Sequence, residues 1–434
     1  MLKSVFKNKE LKKKVFITII VLIFVEFLTN IPSPGINKEM LSQFYSSDIG
    51  QSLGFMTLFS GNSLSNMSMF ILGISPFITA SIILQLFRVA FPRLDEMAKD
   101  GKQGEEKYKR INYMLGGVFS ILQSIPVAHS FKKSGILTDD SIRCIMTVCI
   151  SLIIGSLIFM FLGSIIDKFG LKNGISLILM TNIISRIPKD VKIIFKMYSV
   201  NNFARGILAV IIAFIIFSFL SIWTIFLQDG EKRIVTQYSG RVSNQKIQGK
   251  NTSYIPIKVN VAGVMPVIFT MNIFQIYSLI INLLDIEKKS IAFEIAHALN
   301  TKYWFNKENM FYSVGIILYA ALLIFFQYFY SIIQFDTEKI SKDLKKNGGV
   351  VVGIRPGKPT QEFLDKKLKS ITVVGSILLF VVAVVPVLIF TFFNLQLLSL
   401  GGTSIIIIVG VMNQVYKEVE SECLQNTQNS SFLF

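Results

Sequence analysis

Between residues 49 and 87 the chain runs for 39 residues without a charged side chain. That length is too long for one membrane helix and too short for a full helical hairpin, because a span needs about 20 residues to cross roughly 30 Å of hydrocarbon. Its middle, residues 60–73, carries four Ser, two Asn and two Gly, which is too polar for a helix facing lipid. An irregular loop facing lipid is no better, since each unpaired backbone group there costs several kcal/mol. A short re-entrant helix inside a protein-lined, water-accessible cavity meets both constraints. Gly73 then supplies a hinge. Pro76 falls in the first turn of a full span, where a missing N–H is harmless. Channels and transporters share this kind of segment.

The rest of the chain places that segment in a bilayer. Only 16% of the 434 residues are charged, 52% are hydrophobic, and 38 are Phe. Soluble domains carry about 25% charged residues, so this surface is too poor in charge to solvate a globule. Charge-free runs at 111–131, 144–166, 206–228, 259–284 and 309–335 each suit one span, and 370–416 suits two, divided near Leu400 by Gly401 and Gly402. A run at 15–31 is broken only by Glu26, and the run at 173–185 has just 13 residues. Together with residues 74–87 these predict an all-α polytopic membrane protein with ten transmembrane helices. The basic, apolar N-terminus lacks a small-residue cleavage pattern and reads as a retained first span.

Basic residues give the orientation. With ten spans, 31 of the 44 Lys and Arg fall on the side of the N-terminus and 13 on the other. Basic loops stay in the cytoplasm, so both termini are expected there. The five basic residues between Arg186 and Arg205 fall on the outer side and conflict with this pattern. Two hydrophilic loops, at 228–258 and 334–370, are long enough to project as a basic docking surface or simply to set topology. Five spans per half, 1–200 and 201–434, require any structural repeat to be inverted in the membrane. The net charge of +17 is thus topological, and nucleic-acid binding is not its first reading.

Catalytic signatures are missing. The three Cys form no CxxC pair, the two His (His129 and His297) form no metal pair, and no HExxH or phosphate-binding glycine loop occurs. No cofactor is expected, and any work must be driven by partners.

At residues 62–87, "NSLSNMSMFILGISPFITASIILQLF" resembles the plug and second span of the SecY/Sec61-alpha family of protein-conducting channels. Six further stretches resemble that family in the same order: "IPSPGI" (31–36), "KNGISLIL" (172–179), "EKRIVTQYSGRV" (231–242), "IPIKVNVAGVMPVIF" (255–269), "GIRPGKPTQEFLD" (353–365) and "GGTSIIIIVGV" (401–411). The resemblance implies a clamshell of two inverted five-helix halves around an hourglass pore in the bacterial plasma membrane. It implies an aliphatic ring at the waist, matched here by Ile74, Ile78, Ile175, Leu179, Ile268 and Ile407, with Leu179 departing from Ile. It implies a plug over residues 62–72 (Asn62, Ser63, Leu64, Ser65, Asn66, Met67, Ser68 and onward), with polar side chains held in water so that exit costs little. A lateral gate would be pinned by a polar cluster of Thr79, Gln123 and Asn260.

By the same resemblance Arg355 lies at a loop tip that couples to a motor, and Lys232, Arg233 and Arg241 are candidates for ribosome or motor contact. The implied partners are SecE-like and SecG-like small membrane subunits, a SecA motor ATPase, the ribosome, secretory preproteins, nascent membrane proteins and lipid. Three features depart from the family pattern: Glu26 within span one, Gln228 at the end of span six, and the tail beyond Val419. Glu26 keeps one alternative open, a secondary solute transporter with inverted repeats, because intramembrane carboxylates are costly and usually functional. A scaffold without a pore is the third reading.

Overall fold

The computed structural model describes residues 9–37, 59–199, 203–238, 251–284, 294–295, 298–299, 304, 313–392 and 402–431. Helix α1 (Lys9–Leu28) follows the first apolar run. Helix α2 (Ser75–Ala90) opens with Pro76 in its first turn, where the sequence placed it. It ends at Phe91, which is extended (φ −118°, ψ 102°) because the following Pro92 disfavours the helical region for its predecessor. Helix α3 (Pro92–Lys99) restarts at 108° to α2. Helices α4 (Gly101–Lys133), α5 (Ile142–Phe169), α6 (Gly174–Ser199) and α7 (Phe203–Asp229) complete this part. Then come α8 (Met265–Leu283), α9 (Val314–Gln334), α10 (Thr337–Lys346), α11 (Lys358–Phe392) and α12 (Gly402–Ser431).

By length and composition α4, α5, α7, α9 and α11 can each cross a bilayer. Their outward faces are apolar: Phe161, Phe214, Phe226 and Ile317 are each at least 65% exposed. Faces of this kind are tolerated against lipid and would associate in water.

One expectation needs correcting, and two further segments gain detail. The fold is not all-α. Strands β1 (Glu231–Tyr238), β2 (Asn251–Lys258) and β3 (Gly349–Val351) form an antiparallel sheet in the order β2-β1-β3. In its register Ile234 faces Ile255 and Thr236 faces Val351, so the two hydrophilic loops pair with each other. Burial alternates along β1, with Ile234 and Thr236 inside and Val235 outside. Ile234, Ile257, Leu344, Val351, Leu364 and Leu368 give the sheet a core of its own.

The fifth apolar run is not short. Helix α6 has 26 residues and continues through Pro188. Bracketing by charge stops at Arg186, whereas backbone hydrogen bonding does not, and Asp190 and Ile194 are buried on the face opposite the exposed lysines. Finally, the tail beyond Val419 remains helical. Glu418 accepts from the Lys172 backbone N–H at 2.8 Å and Glu422 meets Lys14 Nζ at 2.5 Å, tying the end of α12 to the first half.

One hydrophobic core joins α1, α2, α5, α6, α8, α9, α11 and α12. Contacts of α4 and α2 with α8, and of α6 with α12, carry it across the two halves.

Candidate functional site

Four helices meet around the middle of this core. Ile74 caps α2 and Ile78 lies one turn on, while Ile175 and Leu179 stand one turn apart on α6. These four and Ile268 of α8 line one cavity of about 420 Å³. Ile407 of α12 does not line it, but is buried in the same core. Arg88, Glu105, Lys109 and Asp167 form the polar part of the wall. The result is a charged vestibule with an aliphatic floor. Branched hydrocarbon offers water no hydrogen bond, so such a floor resists wetting and ion passage.

The sequence reading missed a residue that shapes this floor. A Cβ on Gly163 would stand 2.4 Å from Ile175 Cδ1, so α5 presents a glycine to seat the Ile175 side chain. Asp167 Oδ1 accepts from the Gly174 N–H at 2.6 Å and fixes the start of α6 beside it.

Residues 62–72 differ from expectation. They form a 3-10 turn over Gly61–Ser63 followed by turns, not an α-helix. Asn62, Ser63 and Ser68 are buried, as is Ser60 just before them, while Ser65 and Asn66 are half-buried. Asn62 Nδ2 lies 3.1 Å from the Ser185 carbonyl and 3.3 Å from Glu26 Oε1. Asn182 Nδ2 donates to the Phe59 carbonyl at 2.9 Å, and Asn66 Nδ2 to Asn30 Oδ1 at 2.9 Å. The backbone N–H of Ser33 donates to Met67 at 2.8 Å, so "IPSPGI" is a strap across the segment. Leu64 and Met67 pack with Val127, Phe131 and Leu152. Departure of this segment breaks these bonds and exposes apolar surface, while the Ser60 and Ser63 hydroxyls and Asn62 Oδ1, buried without a hydrogen bond among the described residues, would gain water. The structure also supplies neighbours for Glu26: Asn62 bonds it, and Lys189 lies within electrostatic reach.

The expected polar cluster is divided. Gln123 Nε2 of α4 donates to Thr79 Oγ1 of α2 at 2.9 Å. Asn260 is not with them: its Nδ2 donates to the Gly263 carbonyl at 2.8 Å and its Oδ1 accepts from Gln327 Nε2 of α9 at 2.9 Å. It precedes α8 in a turn that needs Gly263 at φ +65°, so it ties the lead-in of α8 to α9 within the second half. Asn272 takes its place, with Oδ1 3.0 Å from Thr79 Oγ1. Ser75 Oγ adds contacts to Gln275 Oε1 at 3.1 Å and Gln123 Oε1 at 3.4 Å. A signal for these was available: Asn272 and Gln275 follow Ile268 at i+4 and i+7, the same face of α8. A further link joins α2 to α9 where Tyr330 Oη meets Gln85 Oε1.

On the sheet, Lys232 and Arg233 are exposed on β1. Arg233 Nε lies 2.7 Å from Glu231 and its guanidinium 4.7 Å from the Tyr254 ring centroid. Arg241 lies outside the described residues. Arg355 is exposed at the tip between β3 and α11, its carbonyl accepting from Thr360 Oγ1 at 2.8 Å. Among the described residues no cluster of three metal-binding side chains occurs.

The SecY family model matches residues 68–416, which contain the aliphatic cavity residues, Ile407 and the whole sheet. The chain belongs to the SecY family. It is 33% identical over 427 residues to the protein translocase subunit SecY of Staphylococcus carnosus, covering 97% of this chain and 96% of that one. It is 32% identical to the SecY subunit of Halalkalibacterium halodurans, covering 98% and 97%. Among solved structures, one described as a protein-conducting channel aligns with a TM-score of 0.65 at 20% identity, covering 95% of this chain and 92% of that one. The SecY fold is also shared with Sec61 in a canine ribosome-channel complex, at a TM-score of 0.62 and 20% identity.

Proposed function

We propose that this protein is the pore subunit of a protein translocase, passing unfolded secretory polypeptides across the bacterial plasma membrane and releasing apolar segments sideways into lipid. The observation that carries this reading is the convergence of aliphatic side chains from α2, α6 and α8 on one cavity, with Ile407 of α12 in the same core. An oily floor of this kind excludes ions yet can deform around a chain of any sequence. The segment at 59–72 packs beside it as a plug, consistent with its likeness to a channel whose plug is described as maintaining a membrane seal.

In this reading α1, α2, α4–α9, α11 and α12 are ten spans, arranged as inverted halves 1–200 and 201–434, with both termini cytoplasmic. The vestibule and the sheet then share the cytoplasmic side. Parting of α2 and α4 from α8 and α9 opens the lateral gate, which Thr79, Gln123 and Asn272 hold closed. Lys232, Arg233, Arg241 and Arg355 face the ribosome or a SecA motor, which supplies the energy. SecE-like and SecG-like subunits complete the assembly. Glu26, on which solute transport would rest, does not line the cavity.

The test is reconstitution with those subunits and the motor. A stalled presecretory chain crosslinks to a cysteine placed at Ile78, and ATP-dependent passage occurs. Failure of both overturns the reading.

A further inference from the structure

Because α3 leaves α2 at 108°, its last residue, Lys99, reaches the second half of the chain. Lys99 Nζ stands 2.8 Å from Asp95 Oδ2 of its own helix and 3.7 Å from Asp336 Oδ2 at the head of α10. Asp95 also meets Arg88 Nε of α2 at 2.7 Å. Four charges of alternating sign therefore run from α2 through α3 to α10. Both partners of the outermost pair are held in place. Asp336 caps α10, its Oδ1 accepting from the Lys339 N–H at 2.9 Å. Thr337 Oγ1 donates to Asp365 Oδ1 at 2.7 Å, which ties α10 to α11. Lys99 is steadied by Asp95 one turn back. Beside the pair lies a cavity of about 480 Å³, with Val89 and Pro92 on the wall of the first half and Ile332, Phe335 and Leu368 on that of the second. Here charge bridges a gap that hydrocarbon does not fill.

We propose that Lys99 and Asp336 form a salt-sensitive latch at the cytoplasmic end of the lateral gate, on the same seam that Thr79 and Asn272 hold deeper in the bundle. The inference rests on the gate reading above. Polar contacts between the halves step along α2 from Thr79 to Gln85 and continue past its end to Lys99. The Thr79–Asn272 contact is buried and joins neutral groups, so salt leaves it alone. Lys99 and Asp336 carry full charges, with side chains 55% and 38% exposed, so dissolved ions weaken their attraction. An isolated exposed pair contributes little, because two long side chains must be ordered to form it. This one belongs to a network, and the cap on α10 and the Asp95 contact have already ordered its members. Parting of the pair opens onto the cavity and unpacks little hydrocarbon, which suits a contact that must break and re-form.

The experiment uses the full chain in nanodiscs, with Cys144→Ser, Cys149→Ser and Cys423→Ser removing the native thiols. Nitroxide labels on Val89→Cys and Ile332→Cys, exposed positions on opposite walls of the cavity, report the width of the seam by dipolar coupling. At low salt, Lys99→Gln and Asp336→Asn should each raise the wide fraction about twofold. Asn keeps the cap on α10 while removing the charge. The two changes together should go no further than either alone. In the parent, about 1 M salt, with a screening length of ~3 Å, should reproduce the width of the variants, and in the variants it should add nothing. Lys342→Gln, which breaks the Lys342–Glu338 pair within α10, should leave the seam as it is. Unchanged width in both variants, additive widening, or salt dependence that persists in the double variant overturns the latch. A presecretory signal peptide added to the same samples separates the two readings. If it widens the seam and the variants do not, the latch fails and the gate stands. If the variants widen the seam and the signal does not, the ion pair still closes the seam and the gate reading fails.

Discussion

Thr79 Oγ1 of α2 and Asn272 Oδ1 of α8 stand 3.0 Å apart, a buried polar contact between the two halves of the chain. Gln123 donates to the same hydroxyl at 2.9 Å, so one threonine joins three helices. Such bonds between membrane helices contribute about 0.6 kcal/mol on average, enough to bias a gate and too little to lock it.

Asn272→Ala should therefore favour the parted state about threefold, read as open probability in planar bilayers. Asn260→Ala should leave open probability nearer the parent, because Asn260 bonds Gln327 rather than the cluster. Equal effects of the two changes would place the gate elsewhere.

Replacing Ile78 and Ile268 together by Ser puts hydroxyls into the cavity floor. Ion leak should rise, as the floor then offers water partners. Unchanged conductance would remove the pore assignment from these residues.

Gly61 sits at φ +59°, and a Cβ there would stand 2.7 Å from the Asn182 carbonyl. Gly61→Ala should destabilise the seat of residues 59–72 by more than the roughly 1–2 kcal/mol of left-handed strain alone. Gly135→Ala is the control, with φ +66° and nothing within 4 Å of the added methyl. Resting conductance separates them: higher for the Gly61 change and near the parent for the Gly135 change.

Gly163→Ala should displace the Ile175 side chain, whose Cδ1 would lie 2.4 Å from the new methyl. Overpacking of this kind costs roughly 1–3 kcal/mol, and here it pushes toward the floor of the vestibule. Slower passage of a presecretory protein at unchanged expression is the expected outcome.

Arg355→Glu should abolish stimulation of the motor ATPase while leaving resting conductance intact, because the exposed tip lies on the sheet side and not in the cavity wall. Loss of conductance in this variant would mean that the tip supports the pore.

Much of this was legible along the chain. Apolar runs located the helices, because a bilayer demands length and hydrocarbon and little else. The start at Pro76 followed from what proline does in a first helical turn. Motif order identified the family. Where the one-dimensional reading failed, the deciding contact lay far off in sequence. Residues 173–185 looked too short for a span because charge ended the count, yet the helix continues past the half-buried Arg186, and Lys189, Lys192 and Lys196 project from an exposed face. Residues 62–72 looked hydrated because they are rich in Ser and Asn, yet Asn62 Nδ2 turns to Ser185 and Glu26, and Asn182 donates to the Phe59 carbonyl, all from other helices.

The sequence by itself determined that the chain enters a membrane, which segments are apolar, and which family it belongs to, because each of these is a sum over local composition and order. Only the tertiary structure decided that Asn272 rather than Asn260 meets Thr79, and that two distant loops share one sheet. Those depend on directional bonds and surface shape, which exist only once helices distant in the chain have been brought side by side.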